Sequence, residues 1–100
     1  MEWYCAVWNS DRVRSVMGAQ GVYEMLCQGN TSYVSEFIVV QEFYDDITKN
    51  YPYINAQKIE GAVMLSCSFE KAEEANEIIQ SLAKKHGLSY FEPENLIFIQ

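Results

Sequence analysis

Few residues in this chain of 100 are of types that do chemistry: one histidine, three cysteines and several neighbouring carboxylates. His86 could serve as a general base or a metal ligand, and Cys27 as a nucleophile if an adjacent base lowered its pKa. Neither has a companion at a spacing that encodes such a site. Cys5, Cys27 and Cys67 are odd in number and form no CxxC or CxxH pattern, which predicts buried, reduced thiols rather than disulfides or a zinc site. The chain contains no GxGxxG, GxxxxGK[ST], HExxH or GxSxG motif. The expectation is a protein that is not an enzyme, with no catalytic residues, no metal and no cofactor.

His86 has a structural reading instead. In "KKHGL" the cations Lys84 and Lys85, and His86 whether cationic or neutral, fall at the negative end of a helix. Gly87 takes the left-handed position that ends it, and Leu88 sits where a Schellman motif makes its hydrophobic contact.

The carboxylates are the other candidates: Asp45 and Asp46, and Glu70, Glu73, Glu74 and Glu77 in "EKAEEANE". Paired carboxylates can do acid–base work when burial separates their pKa values, but helical spacing places these on exposed faces. Glu70 with Glu74, Glu73 with Glu77 and Glu42 with Asp46 are like charges four residues apart, each pair costing about 0.2–0.5 kcal/mol of helix stability. Such a face is either a solvated surface or a recognition surface that steers a basic partner.

Composition bounds the remaining possibilities. Fourteen acidic against seven basic residues give a net charge of −7, an electrostatic case against nucleic acid as partner. Apolar residues at 49% are too many for a disordered chain, and the length suits a single domain over residues 1–100. No apolar run is long enough to cross a bilayer, and "MEWYCAVWNSDR" lacks the basic and apolar regions of a signal peptide, so a cytoplasmic location is expected.

The elements that must position these residues follow from periodicity. "WYCAVW" alternates Trp3, Cys5 and Val7 with Tyr4, Ala6 and Trp8 and predicts a buried strand. A helix follows through Val16, Ala19, Tyr23, Leu26 and Cys27, closed by Gly29; Gly18 and Gly21 weaken its first half, and residues 12–15 fit a loop. A second helix, capped by "NTS" at 30–32, is expected through Val34, Phe37, Val40 or Gln41, Phe43 or Tyr44, and Ile47 to Asn50. Residues 53–59 and "AVMLSCSF" read as a hairpin about Glu60-Gly61, with Val63, Leu65, Cys67 and Phe69 on one side. The stripe Ala72, Ala75, Ile78, Ile79 and Leu82 marks a third helix, and two short strands flank Glu92-Pro93-Glu94. This order predicts an α+β fold, a ferredoxin-like split βαβ sandwich with a mostly antiparallel sheet, parallel pairs from its crossovers and helices on one face. Tyr4 and Trp8 would then stand on the open face as interface anchors, near Met64, unless the C-terminal strand or a loop covers them.

"WNSDR" at 8–12 and "AEEANEIIQSLAKKHGLSYFEP" at 72–93 resemble a set of small bacterial proteins. These have an aromatic first strand ending in Trp-Asn-Ser and a helix ending in His-Gly-Leu, then an aromatic and an acidic-Pro pair. In size and acidity the chain is similar to immunity proteins of contact-dependent inhibition and related polymorphic toxin systems. The resemblance implies a protein that binds and neutralises a cognate toxin, often a nuclease with a basic surface; it carries no catalytic motif. The expected contact residues are Glu70, Glu73, Glu74, Glu77, Asp45, Asp46, Tyr4 and Trp8. The alternative is a small regulatory or ligand-binding domain that oligomerises through its open sheet face.

Overall fold

A computed structural model describes all residues 1–100. The elements run β1 (Glu2–Trp8), α1 (Val16–Cys27), α2 (Ile38–Asn50), β2 (Asn55–Ile59), β3 (Ala62–Ser68), α3 (Ala72–Lys85), β4 (Ser89–Glu92) and β5 (Ile97–Ile99). A 3-10 turn at Phe69–Lys71 leads into α3. The fold is α+β, with three helices on one five-stranded sheet ordered β2-β3-β1-β4-β5.

Every pairing in the sheet is antiparallel, so the expected parallel pairs do not form. β1 and β2 do point the same way, but β3 folds back between them and takes the hydrogen bonds of both. β1 lies at the centre, paired along its whole length with β3 and at its end with β4. A strand bonded on both sides and covered on both faces must be apolar at successive positions, which is why "WYCAVW" runs almost without polar residues.

The helices divide between the two faces, which corrects the expectation that they share one. Trp3, Cys5 and Val7 pack with Val63, Leu65 and Cys67 beneath α2 and α3, through Val40, Phe43, Ile47, Ala75, Ile79 and Ala83. Ala6 and Trp8 point the other way and are covered by Ala19, Val22 and Leu26 of α1. The physical reason lies in β1. Both of its alternations are apolar, and leaving Trp8 wet would forgo about 1.5–3 kcal/mol of burial, so the second face acquires a cover of its own.

Local chemistry sets the ends of the elements. α1 starts where Ser15 Oγ accepts the Gly18 N–H at 3.0 Å, as the glycines and the 12–15 loop suggest. The expected cap at "NTS" is not used, and α2 begins only at Ile38. Asn30 Oδ1 instead accepts from the Ser32 N–H at 3.0 Å and Ser32 Oγ at 2.6 Å, closing an Asx turn that keeps the segment out of helix. Val34 is then buried on the α1 side, not beneath α2. Phe69, expected on the inner side of β3, lies in the 3-10 turn and is exposed.

Two helix stops follow the sequence reading. Gly87 adopts φ +70, Leu88 N–H donates to Ala83 O at 2.8 Å and Gly87 N–H to Lys84 O at 3.1 Å, the bond pair of a Schellman motif. Gly29 closes α1 in the same manner, with Asn30 N–H on Met25 O at 2.8 Å. Gly61 is a different case. At φ +80 its β2–β3 turn lies so close to the 34–36 segment that a Cβ would come within 2.8 Å of Ser35 N.

The Trp-Asn-Ser run finds its explanation beside that turn. Asn9 N–H donates to Gly61 O at 3.0 Å, while Asn9 O accepts from Ser35 N–H and Asn9 Nδ2 donates to Ser35 O, both at 3.0 Å. Glu36 Oε1 completes the knot by accepting from Gly61 N–H at 2.8 Å and Lys58 Nζ at 2.7 Å. Lys58 holds the Glu36 carboxyl below its ordinary range.

Candidate partner-binding surface

Two of the eight candidate residues converge. Glu70 in the 3-10 turn and Glu73 in the first turn of α3 line one cavity of about 420 Å³ with Glu92 and Glu94 from the end of β4 and its turn. Trp3 and Phe69 supply aromatic surface, and Asn76 and Asn95 complete the polar rim. No lysine or arginine lines it.

Glu92 is the unexpected member, only 3% exposed at the end of a buried strand. Asn95 fixes it from two directions: its N–H donates to Oε2 at 2.8 Å and its Nδ2 to Oε1 at 2.7 Å. The same bonds close the turn over 93–96, which carries Leu96 in the left-handed region at φ +54. A signal for Glu92 existed in the sequence. Tyr90 faces α3, and strand alternation puts Glu92 on that same side two residues later, beside the acids that begin the helix.

The other carboxylates are scattered. Glu77 lines a separate cavity of about 640 Å³ between α3 and the end of the chain, with Gln80, Lys84, Tyr90 and Ile99. Glu74 turns toward Tyr53, whose phenol is raised by burial first and by Glu74 second. Asp45 is exposed on α2 and accepts from Gln41 Nε2 at 2.9 Å. Asp46 is engaged inside the molecule, where His86 Nε2 lies 2.8 Å and Lys85 Nζ 3.8 Å from its Oδ2.

That contact gives His86 a role beyond ending a helix. It ties the close of α3 to the middle of α2, with its ring edge-on to Phe43 at 6.3 Å between centroids. The bond from His86 is the largest cause holding the Asp46 carboxyl below its ordinary range. Cys27 lies in α1, on the other face of the sheet from His86, and is exposed where a buried thiol was expected. The reason is its position: as the last residue of α1 it lies one past Leu26, which faces the sheet. Cys5 and Cys67 are buried, and burial raises both thiols.

The aromatic candidates separate as well. Tyr4 is 51% exposed and shares a shallow groove with Met64 and the edge strand β2, as expected. Trp8 is fully buried, which corrects its reading as an exposed anchor: α1 and β5 cover it, with Phe91 at 6.1 Å and Phe98 at 6.2 Å between ring centroids.

Chemically, the cavity at the start of α3 suits a cation. A guanidinium or ammonium group about 4 Å from one carboxylate gains on the order of 4 kcal/mol of attraction near a protein surface, before desolvation. Trp3 and Phe69 could add cation–π contact. No three His, Cys, Asp or Glu side chains lie close enough together to hold a metal ion. No protein family, curated protein or solved structure matches the chain.

Proposed function

We propose that the chain is an immunity protein that binds a cognate bacterial toxin, a basic domain such as a nuclease, and neutralises it by occupying its surface. The observation that carries this reading is the cavity of Glu70, Glu73, Glu92 and Glu94, an acidic pocket with aromatic walls and no cation of its own. Its occupant would be an arginine or lysine side chain of the toxin. The surplus of acids over bases supports the reading through steering, since complementary charge raises association rates. The order β2-β3-β1-β4 supports the ferredoxin-like reading of that part of the fold, while β5 and the placement of α1 lie outside it.

The test is co-expression with the product of the neighbouring reading frame, followed by size exclusion and measurement of association. Glu70→Lys with Glu73→Lys should slow association and weaken binding by roughly tenfold to a hundredfold. Glu42→Lys with Asp45→Lys, an equal change of charge on α2, should do much less. Unchanged affinity in the Glu70 and Glu73 double variant would sink the proposal.

A further inference from the structure

Both arginines of this acidic chain lie on one groove, and neither has a carboxylate partner. The groove, about 480 Å³, runs beside α1 and is lined by Arg12, Arg14, Met17, Gly21, Met25 and Tyr33. Arg12 is held in place: its guanidinium stacks on the Tyr33 ring at 5.0 Å and Nη1 donates to Ser32 O at 3.3 Å. The ion pairs of the protein involve only Lys58, Lys85 and His86, so Arg12 and Arg14 keep their charges for an external group. The floor is apolar and open. Met17 is 78% exposed, and apart from the α1 backbone and its two chain neighbours nothing lies within 4 Å of where a Cβ on Gly21 would stand, leaving room for another backbone. Methionine side chains adapt readily to such a contact.

The chemistry that fits this groove is a helix with an apolar end and carboxylates one to two turns on, and α2 is such a helix. Phe37 and Ile38 are 59% and 66% exposed at its start, and Ile38, Glu42 and Asp45 follow one another on a single face at helical spacing. Glu42 has no hydrogen bond or ion pair, and Asp45 accepts only from Gln41 of its own helix. The two patches cannot meet within one molecule, because α1 and α2 cover opposite faces of the sheet.

We propose that the chain associates with a second copy of itself, the Phe37, Ile38, Glu42 and Asp45 face of α2 docking on the Arg12, Arg14 and Met17 groove beside α1. The patches differ, so the contact joins unlike surfaces of the two copies. Repulsion between two molecules of charge −7 opposes it, but charges farther apart than about 8 Å are largely screened at physiological salt, so the local pairs decide. The proposal is independent of toxin binding, since the Glu70 and Glu73 cavity takes no part.

The test is the mass of the purified chain by sedimentation equilibrium, from micromolar to millimolar concentration. The wild type should rise in mass with concentration. Arg14→Glu and Glu42→Arg should each weaken association by roughly tenfold or more, and an equimolar mixture of the two should restore it through the exchanged pair. Gly21→Leu separates docking from folding: it should raise the melting temperature by removing a helical glycine, yet abolish association by filling the groove. A monomer up to millimolar concentration overturns the proposal. So does association that survives both Arg14→Glu and Gly21→Leu, which would move the contact to another surface such as the Tyr4 groove.

Discussion

The two faces of the sheet are built differently. Beneath α2 and α3, fifteen buried residues form one continuous core of mostly aliphatic side chains, and the helices above it are tied together by Asp46 and His86. The α1 face holds nine, closed by a single helix, the 28–37 segment and the short edge strand β5. Aromatic rings do much of the covering there: Tyr23 meets Phe91 at 5.6 Å, and Trp8 lies near both Phe91 and Phe98. The Trp8 Nε1 donor is buried without a partner, a cost of about 1–3 kcal/mol that the first face does not bear. The difference teaches where stability and adaptability are placed. Two interlocked helices make one cooperative layer, whereas one helix on aromatic panels can open by itself.

The largest expected effect breaks the comparison at its stronger side. Phe43→Ala, at a fully buried position under α2, should cost about 3–5 kcal/mol in urea unfolding, whereas Leu26→Ala under α1 should fall near 2 kcal/mol, the low end for its kind. Native-state hydrogen exchange should show α1 amides exchanging through a smaller opening than those of α2 and α3. Equal costs and equal protection would mean that the two faces unfold as one.

Next in size is the knot that joins the β2–β3 turn to the 34–36 segment. Gly61→Ala combines a positive φ with a Cβ 2.8 Å from backbone, and should destabilise by about 2–4 kcal/mol. Gly87→Ala has the same sign of φ but open space around it, and should cost about 1 kcal/mol. Thermal denaturation of the two variants side by side measures the difference. Similar values would show that backbone conformation alone, without the close approach, accounts for Gly61.

The smallest effect sharpens the comparison at the α2–α3 tie. His86→Ala should cost about 1 kcal/mol near neutral pH, the scale of one partly exposed charged hydrogen bond. Its pH dependence follows from Asp46, whose carboxyl is held below its usual 3.8 in the folded state. A depressed carboxylate contributes stability above its unfolded pKa and loses it as pH falls through the folded value. The wild type should therefore lose stability as pH drops below about 4, and His86→Ala should lose less over that window. Chemical denaturation at a series of acidic pH values tests this; identical slopes would remove Asp46 and His86 from the account.

Much of the architecture was legible because it rests on local rules. The apolar run of β1, the turn at Glu60-Gly61, the stripe of α3 and the glycine stops at 29 and 87 are all set by neighbours within a few residues. The start of α2 was misread for the converse reason. "NTS" is a legitimate helix cap, but Asn30 spends its side chain on an Asx turn, and Val34 is worth more to the α1-side core than to an extra helical turn. The candidate surface was legible only in part. Helical spacing singled out Glu70 and Glu73, while Glu92 and Glu94 come from a hairpin about twenty residues farther on.

Composition and periodicity by themselves determined that this chain folds, that it combines helices with a sheet, and that its surface is acidic. They also determined how His86 ends its helix. The tertiary structure decided which face each helix covers, because an apolar strand on both alternations demands two covers without saying which helix supplies which. It decided too that Trp8 is core, that Asp46 belongs to His86, and that both arginines share one open groove. Each of those depends on residues distant in the chain and adjacent in space, and spacing along a sequence carries no record of that adjacency.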